Sequence, residues 1–280
     1  MEKRLIIYAV IIIICIVSIG LGVYSQFFGD GISISGTTNK PDNEIETDEK
    51  AQLAKETFDT IFTNTLLYTS DSFTNTAVRK DSTKDLVYTS NQTTKVVQGK
   101  YNMNINVPTI NIVSPVATTI NKEIEDTFVK KATDIIINAE TSTEYVIYSI
   151  DYAAYVKSNI LSLVIKSTLK EGNKPQRIMY LAYNYNLQDG TKITLDQYMT
   201  YKNVTSMALQ TKINKEIRDV AKKYEDLNSV GYSVYSRNPD DPMYKLANTT
   251  NYFLGKDNYV YIIYAYGNNN YTSERDVIVF

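Results

Sequence analysis

The sequence predicts an α+β fold: an antiparallel sheet meander packed by helices, in two adjoining α+β units preceded by one N-terminal transmembrane helix. Three observations lead there. Tyr145–Val156, Ile160–Leu169 and Arg177–Leu187 alternate apolar and polar residues over strand-length runs separated only by short turns, as adjacent antiparallel strands do. Val116–Ile137 and Val204–Tyr224 repeat apolar residues at helical spacing, with charges between them. Leu5–Val23 is almost wholly apolar, and its length as a helix, roughly 28 Å, nearly matches a bilayer's hydrocarbon core.

Lys3 and Arg4 precede the apolar run and nothing basic follows it until Lys40. The positive-inside rule makes residues 1–4 a cytoplasmic stub and 5–23 a single-pass plasma-membrane anchor, with the bulk of the chain outside the cell. The rival reading is a cleaved signal peptide with its cleavage site around Val23-Tyr24-Ser25. The run exceeds the usual apolar region of about 7–15 residues in such peptides, which favours a retained anchor. Residues 26–92 read as a linker with a short helix. TTNKPDNEIETDEK has too little apolar surface to offset its ordering entropy, whereas Ala54, Phe58, Ile61, Phe62 and Thr65 fall at helical spacing. Tyr68–Gln92 is polar and without a clear period, so it reads as loop with one strand near Leu86–Thr89.

Residues 93–200 form the first α+β unit. Its first strand, Tyr101–Val107, ends at Pro108; the Val116–Ile137 helix and the three-strand meander follow. Tyr183–Met199 organises the unit as strand, turn and helix. Tyr183, Tyr185 and Leu187 alternate with asparagines, Asp189-Gly190 is a turn signal, and Thr194 with Gln197 matches a capping box. Residues 201–280 form the second unit, with a helix, a Gly231–Pro242 loop, a hairpin from Tyr252 to Tyr266 and a terminal strand Asp276–Phe280. Ile120-Asn121-Lys122-Glu123-Ile124 recurs as Ile213-Asn214-Lys215-Glu216-Ile217, and in each case a hairpin with Lys-x-Asn in its turn follows. Duplication of a helix-plus-hairpin unit and chance in an Asn/Lys/Ile-rich chain both produce this pattern.

Composition bounds the chemistry. A net charge of -2 argues against nucleic acid as a partner. With no histidine, and with Cys15 as the sole cysteine, the chain lacks His-based acid/base catalysis, Cys/His zinc sites and intramolecular disulfides. Ser167-Thr168-Leu169-Lys170 matches S-x-x-K but lies on a strand, where the lysine cannot face the serine as it does at a helix start. Asp151, Glu171, Asp189 and Asp196 are the carboxylates from which a glycoside-hydrolase pair would be drawn, but their spacing shows no pairing. Asn238-Pro239-Asp240-Asp241-Pro242 lacks the ligand spacing of a calcium loop. The expectation is therefore no catalytic residue, no metal and no cofactor. Candidate binding residues are tyrosines on the less regular strand faces, Tyr145, Tyr155 and Tyr180. A second set, Tyr264, Tyr266, Asn268, Asn269 and Tyr271, lies where a strand end runs into an Asn-rich loop. Exposed tyrosine stacks on sugar rings or anchors a protein interface with little loss of rotamer entropy.

Tyr101–Pro108 as opening strand, Ile120–Asp126 as first helix, Asn159–Ile165 as central strand and the Tyr183–Met199 strand-turn-helix make a recognisable set, closed by Asn251–Tyr266 and Asp276–Phe280. Over about Thr93–Phe280 the chain resembles the extracytoplasmic domain pair of the lysozyme-sensing anti-sigma factors of Gram-positive bacteria. The same pair is the accessory part of certain membrane-anchored peptidoglycan deacetylases. The resemblance implies an α+β fold outside the membrane and a binding role near the cell wall. The chain departs from both architectures. A stub of Met1–Arg4 holds no sigma-binding domain, and a chain without histidine cannot supply a deacetylase's metal ligands. The resulting expectation is a membrane-anchored, non-catalytic cell-envelope binding protein that recognises wall glycan or an envelope protein such as lysozyme. A sensor that binds lysozyme and signals through a partner, and a carboxylate-based glycan hydrolase, are the alternatives.

Overall fold

The computed structural model describes residues 49–69, 78–231, 233–267 and 272–280. The expected stub, anchor and first part of the linker lie outside the described residues. Among the described residues no helix is long and apolar enough to cross a membrane.

The fold is mixed α+β. It opens with a short helix, α1 (Glu49–Glu56), a 3-10 turn (Phe58–Ile61) and a three-residue strand, β1 (Leu66–Tyr68). A hairpin follows, β2 (Val87–Val97) and β3 (Tyr101–Ile110). The next stretch is helical throughout: α2 (Pro115–Ile124), a π turn (Glu125–Val129) and α3 (Lys130–Thr141). The meander is β4 (Val146–Lys157), β5 (Ile160–Glu171) and β6 (Arg177–Asn186). Helices α4 (Leu195–Tyr201) and α5 (Ser206–Ser229) lead to a smaller sheet of β7 (Tyr252–Leu254), β8 (Val260–Ala265) and β9 (Arg275–Val279).

The large sheet runs β2-β3-β4-β5-β6, with β1 added on β4. Its meander is antiparallel as expected, but β3 pairs with β4 in parallel, because the long α2–α3 crossover returns the chain to the same end of the sheet. β1 also pairs with β4 in parallel. β3 holds Val146–Ile150 and β1 holds Ala154–Val156, so the two divide one edge of a long strand. Asn64, at φ 58°, fills the gap between them. It donates its amide to Tyr152 O and accepts the Tyr152 amide on Oδ1, and its Nδ2 donates to Asp151 Oδ1.

Two expectations are corrected at the β2–β3 hairpin. β2 extends over Val87–Val97, much of it in a stretch read as loop, because its outward side chains are polar and give little periodic signal. β3 continues through Pro108, which pairs with Thr89 beside a bulge at Thr89/Asn91. β3 pairs with β4 only through Ile105, so the proline's missing N–H breaks no ladder on that side.

The meander of the large sheet packs on both faces. Val146, Tyr148, Ile150, Tyr152, Ala154 and Val156 of β4 join Leu161, Leu163, Ile165, Tyr183 and Tyr185 in a core shared with Ile120, Ile124 and Phe128 of the α2–α3 stretch. The opposite face, with Ala153, Tyr155, Val164, Ile178 and Tyr180, packs against Ala51, Ala54 and Phe58 and against Phe253, Tyr261, Ile263, Val277 and Val279 of the small sheet. The small sheet's other face, with Ile262, Tyr264 and Ile278, packs on Leu209, Ile213 and Ile217 of α5. The two copies of the Ile-Asn-Lys-Glu-Ile sequence thus place their isoleucines in two different cores.

Tyr183–Met199 locks these layers. Gly190 takes φ 76°, and Thr194 and Gln197 form the expected capping box. Asn184, on β6, is buried and polar. Its Oδ1 accepts from Ser162 Oγ at 3.0 Å and from Tyr198 OH at 2.8 Å, and its Nδ2 donates to Tyr252 O at 2.7 Å. Ser162 Oγ also accepts the Leu254 amide at 3.2 Å. One asparagine therefore ties β5, β6, α4 and β7 together. Replacing it with leucine orphans several buried groups at once. Asn184→Leu is expected to lower unfolding stability by about 2–4 kcal/mol, measured by urea denaturation.

Burial also raises the pKa of many tyrosines, with Tyr148 and Tyr264 each pushed up to about 12 from the ordinary 10. Such a group stabilises the fold fully below the unfolded value near 10, and its contribution is lost as pH rises toward the folded value. Stability should therefore fall between about pH 10 and 12. Absorbance titration at 295 nm should show only exposed tyrosines ionising near pH 10, with the remainder appearing together on alkaline unfolding.

Candidate functional site

A charged side chain on the core face of a strand needs a partner, and Asp276 shares that face of β9 with Ile278 and Phe280. Its partner is Arg237, whose side chain is 0% exposed. Arg237 Nε donates to Asp276 Oδ2 at 3.1 Å and Nη2 donates to Oδ1 at 3.3 Å. Nη1 donates to Tyr235 O at 2.6 Å and to Glu274 Oε2. The guanidinium lies 4.0 Å from the Tyr224 ring centre and 4.8 Å from that of Tyr266. Burial alone would lower its pKa, but the hydrogen bonds and charges of Asp276 and Glu274 outweigh this, and the net direction is up. Tyr266 OH donates to Asp276 Oδ2 and pairs with Tyr244 OH at 2.9 Å. Burial first, and then the Asp276 charge, drive the Tyr266 pKa upward.

This cluster fixes the loop that follows α5. Tyr235 stacks on Tyr266 with ring centres 4.2 Å apart, and its amide donates to Glu274 Oε1 at 2.8 Å. Its ring is held from below and at the backbone, and it forms one wall of an open cleft of about 480 Å³. Pro175, Gln176, Ser233, Ser236, Thr272 and Ser273 are among the other lining residues. Among the described residues, the side chains of Gln176, Ser233, Ser236 and Ser273 make no hydrogen bond. The cleft thus combines one pre-oriented aromatic ring with several hydroxyl and amide groups. The backbone next to Thr272 is close-packed. A Cβ on Gly267 would stand 2.4 Å from Ile178 O and 2.7 Å from Thr272 O, so only glycine lets these backbones meet.

The expected binding tyrosines are distributed otherwise than the sequence reading had them. Tyr155 and Tyr180 are buried, because the second face of the large sheet is covered there by Phe58 and the small sheet. Tyr264 and Tyr266 are buried against α5 and the Arg237 cluster. None of these four offers a free ring face. Tyr145 is 39% exposed, and its carbonyl accepts the Gly172 amide in the β5–β6 turn that leads to Pro175. Asn268, Asn269 and Tyr271 lie outside the described residues. The strand end singled out in the sequence thus leads to the site, through Tyr266 beneath Tyr235, but the residue presented to the cleft is Tyr235.

No family model and no curated protein matches the chain. Two DUF3298 family structures are among the solved structures it is similar to. One is a DUF3298 family protein from Pseudomonas aeruginosa PAO1, at 11% identity and TM-score 0.35, covering 66% of this chain and 83% of that one. The other is a DUF3298 family member from Bacteroides fragilis NCTC 9343, at 14% identity and TM-score 0.32, covering 64% of this chain and 81% of that one. At these values the chain's function is read from its own residues.

Three of the four carboxylates considered in the sequence are engaged separately. Asp151 accepts from Asn64 and Asn106, Asp189 caps its own turn through Thr191, and Glu171 pairs with Arg177. Ser167 and Lys170 lie on β5, three residues apart and so on opposite faces. Asn238 and Asp241 accept backbone amides within their own loop. Among the described residues no group of three or more His, Cys, Asp or Glu side chains is placed to hold a metal ion. Glu274, which also lines the cleft, and the buried Asp276 are both tied to Arg237.

Removing the guanidinium strands two carboxylates. Arg237→Met is expected to lower stability by about 3–5 kcal/mol, measured by chemical denaturation of the full chain.

Proposed function

We propose that the protein is a membrane-anchored, extracytoplasmic binding protein of the cell envelope that holds a wall glycan in the Tyr235 cleft without chemical turnover. The observation that carries this reading is the rigid Tyr235 ring above Tyr266, bordered by hydroxyl and amide side chains. A sugar ring presents an apolar C–H face and a rim of hydroxyls. The first suits an immobilised aromatic ring and the second suits serine, threonine and glutamine. An open cleft with a single aromatic wall suits one or two sugars of a longer polymer, since a small free ligand would normally be more fully enclosed. The anchor read at Leu5–Val23 would keep this cleft within reach of the wall.

The test is co-sedimentation of the detergent-solubilised full chain with insoluble peptidoglycan at low and moderate salt. Binding that largely survives moderate salt and falls at least about tenfold in Tyr235→Ala is expected, since stacking and neutral hydrogen bonds are little screened. Sedimentation unchanged by Tyr235→Ala contradicts the reading.

A further inference from the structure

The second face of the large sheet is covered at Ala153, Tyr155, Val164 and Tyr180, but toward the start of β4 it is open. Val96 is 64% exposed and Ile147 42%, and Thr94, Asn102 and Asn104 are exposed as well. The strand registers line these residues up. Val96 pairs with Asn102, Asn102 with Ile147 and Ile147 with Lys170, so one row of side chains crosses β2, β3, β4 and β5. Thr94, Asn104, Ser149 and Thr168 make the next row on the same face. At about 4.8 Å per strand the first row is roughly 14 Å long. Tyr145 flanks it. Its carbonyl accepts the Gly172 amide as a continuation of the β4–β5 ladder, which gives it the phase of Ile147.

The row meets the Tyr235 cleft at its β5 end. Leu169 pairs with Arg177, the residue after Gln176, and Lys170 Nζ donates to Lys174 O, the residue before Pro175. Pro175 and Gln176 line the cleft. Charges on the open face stand at its margins. Lys170 closes the row toward the cleft. Asp151 and Lys166 lie where the covered half begins, Asp151 accepting from Asn64 and Asn106 and Lys166 pairing with Asp59. Between these margins the two rows carry amides, hydroxyls and two aliphatic side chains.

We infer that this open face continues the Tyr235 cleft and binds the next sugars of the same glycan strand along the row Lys170, Ile147, Asn102 and Val96. The inference rests on the glycan reading of the cleft and adds the path of the polymer. Two observations select this occupant. The row abuts the cleft, and its uncharged middle suits neutral hydroxyl and amide partners, whereas a strongly acidic or basic partner finds no counter-charge there. Ile147 and Val96 offer apolar contact to the C–H faces of sugar rings, and Asn102 between them both donates and accepts hydrogen bonds. A flat sheet face suits an extended polymer better than a compact ligand, which calls for a concave site.

The experiment is calorimetric titration of the detergent-solubilised full chain with chitobiose, chitotetraose and chitohexaose, all neutral. The hexamer is expected to bind at least about tenfold tighter than the dimer. An Asn102→Ala/Ile147→Ala double variant changes only exposed side chains and so keeps the fold. It should bind the three oligomers within about twofold of one another, with the affinity for the dimer unchanged. Tyr235→Ala should weaken all three. Equal affinity of the unmodified chain for the three oligomers, or a length dependence that persists in the double variant, overturns the inference and leaves the glycan reading standing. If the double variant instead loses a chemically cross-linked protein dimer and keeps the length dependence, the face joins two copies of the chain and the inference is likewise overturned. Failure of every oligomer to bind the unmodified chain overturns the glycan reading itself.

Discussion

A guanidinium shut off from water must find its hydrogen bonds inside the protein, and Arg237 does so in a way that determines much of the second half of the chain. Its two carboxylate partners lie two residues apart, Glu274 just before β9 and Asp276 on it, and its third acceptor is the carbonyl of Tyr235. To satisfy all three, the loop after α5 must lie across the start of β9. Tyr224, Tyr235 and Tyr266 then surround the cation. Breaking this arrangement is far more unfavourable than an exposed ion pair would suggest, because what remains is buried charge without compensation. The cleft is a by-product of this constraint: the clamp that satisfies the arginine also presents the Tyr235 ring.

The same logic of satisfied burial operates at Asn184. Where the sheet is covered on both faces there is no solvent for a polar side chain, and Asn184 meets the demand by bonding to Ser162, Tyr198 and the carbonyl of Tyr252. Two polar centres therefore fix how the layers meet. Asn184 sets the small sheet on the large one, and Arg237 sets the helix-following loop on the small sheet. The apolar cores between them supply most of the driving force but little direction, since aromatic and aliphatic contacts are tolerant of shift and rotation.

Much of this was legible in the residues. Strict alternation in β4, β5 and β6 revealed the meander, and Asp189-Gly190 with Thr194 and Gln197 revealed the strand-turn-helix. β2 was hidden because an outward-facing edge strand of Thr, Asn, Gln and Ser has no hydrophobic period. The parallel pairing of β3 with β4 was hidden because register between distant segments leaves no local trace. Tyr155 and Tyr180 were misplaced for one reason: alternation shows that a strand has two faces, but not that a second sheet covers the weaker one. The Arg237 cluster had a sequence trace that is clear once the strand phase is known. Asp276 occupies the same parity as Ile278 and Phe280, and an inward aspartate calls for a cation. Tyr235 had none, because nothing local distinguishes a clamped tyrosine from a loose one.

The most direct test of the Arg237 clamp is amide hydrogen exchange of the full chain, comparing the unmodified protein with Arg237→Met. The Tyr235 amide bonds to Glu274 Oε1, whereas the Val260 amide bonds to Phe280 O within the small sheet. If the arginine holds the loop on β9, protection at Tyr235 falls further in the variant than protection at Val260, which tracks only the loss of overall stability. Equal losses at the two amides, or a Tyr235 amide already unprotected in the unmodified chain, would show that the loop is not clamped and that the cleft lacks its rigid wall.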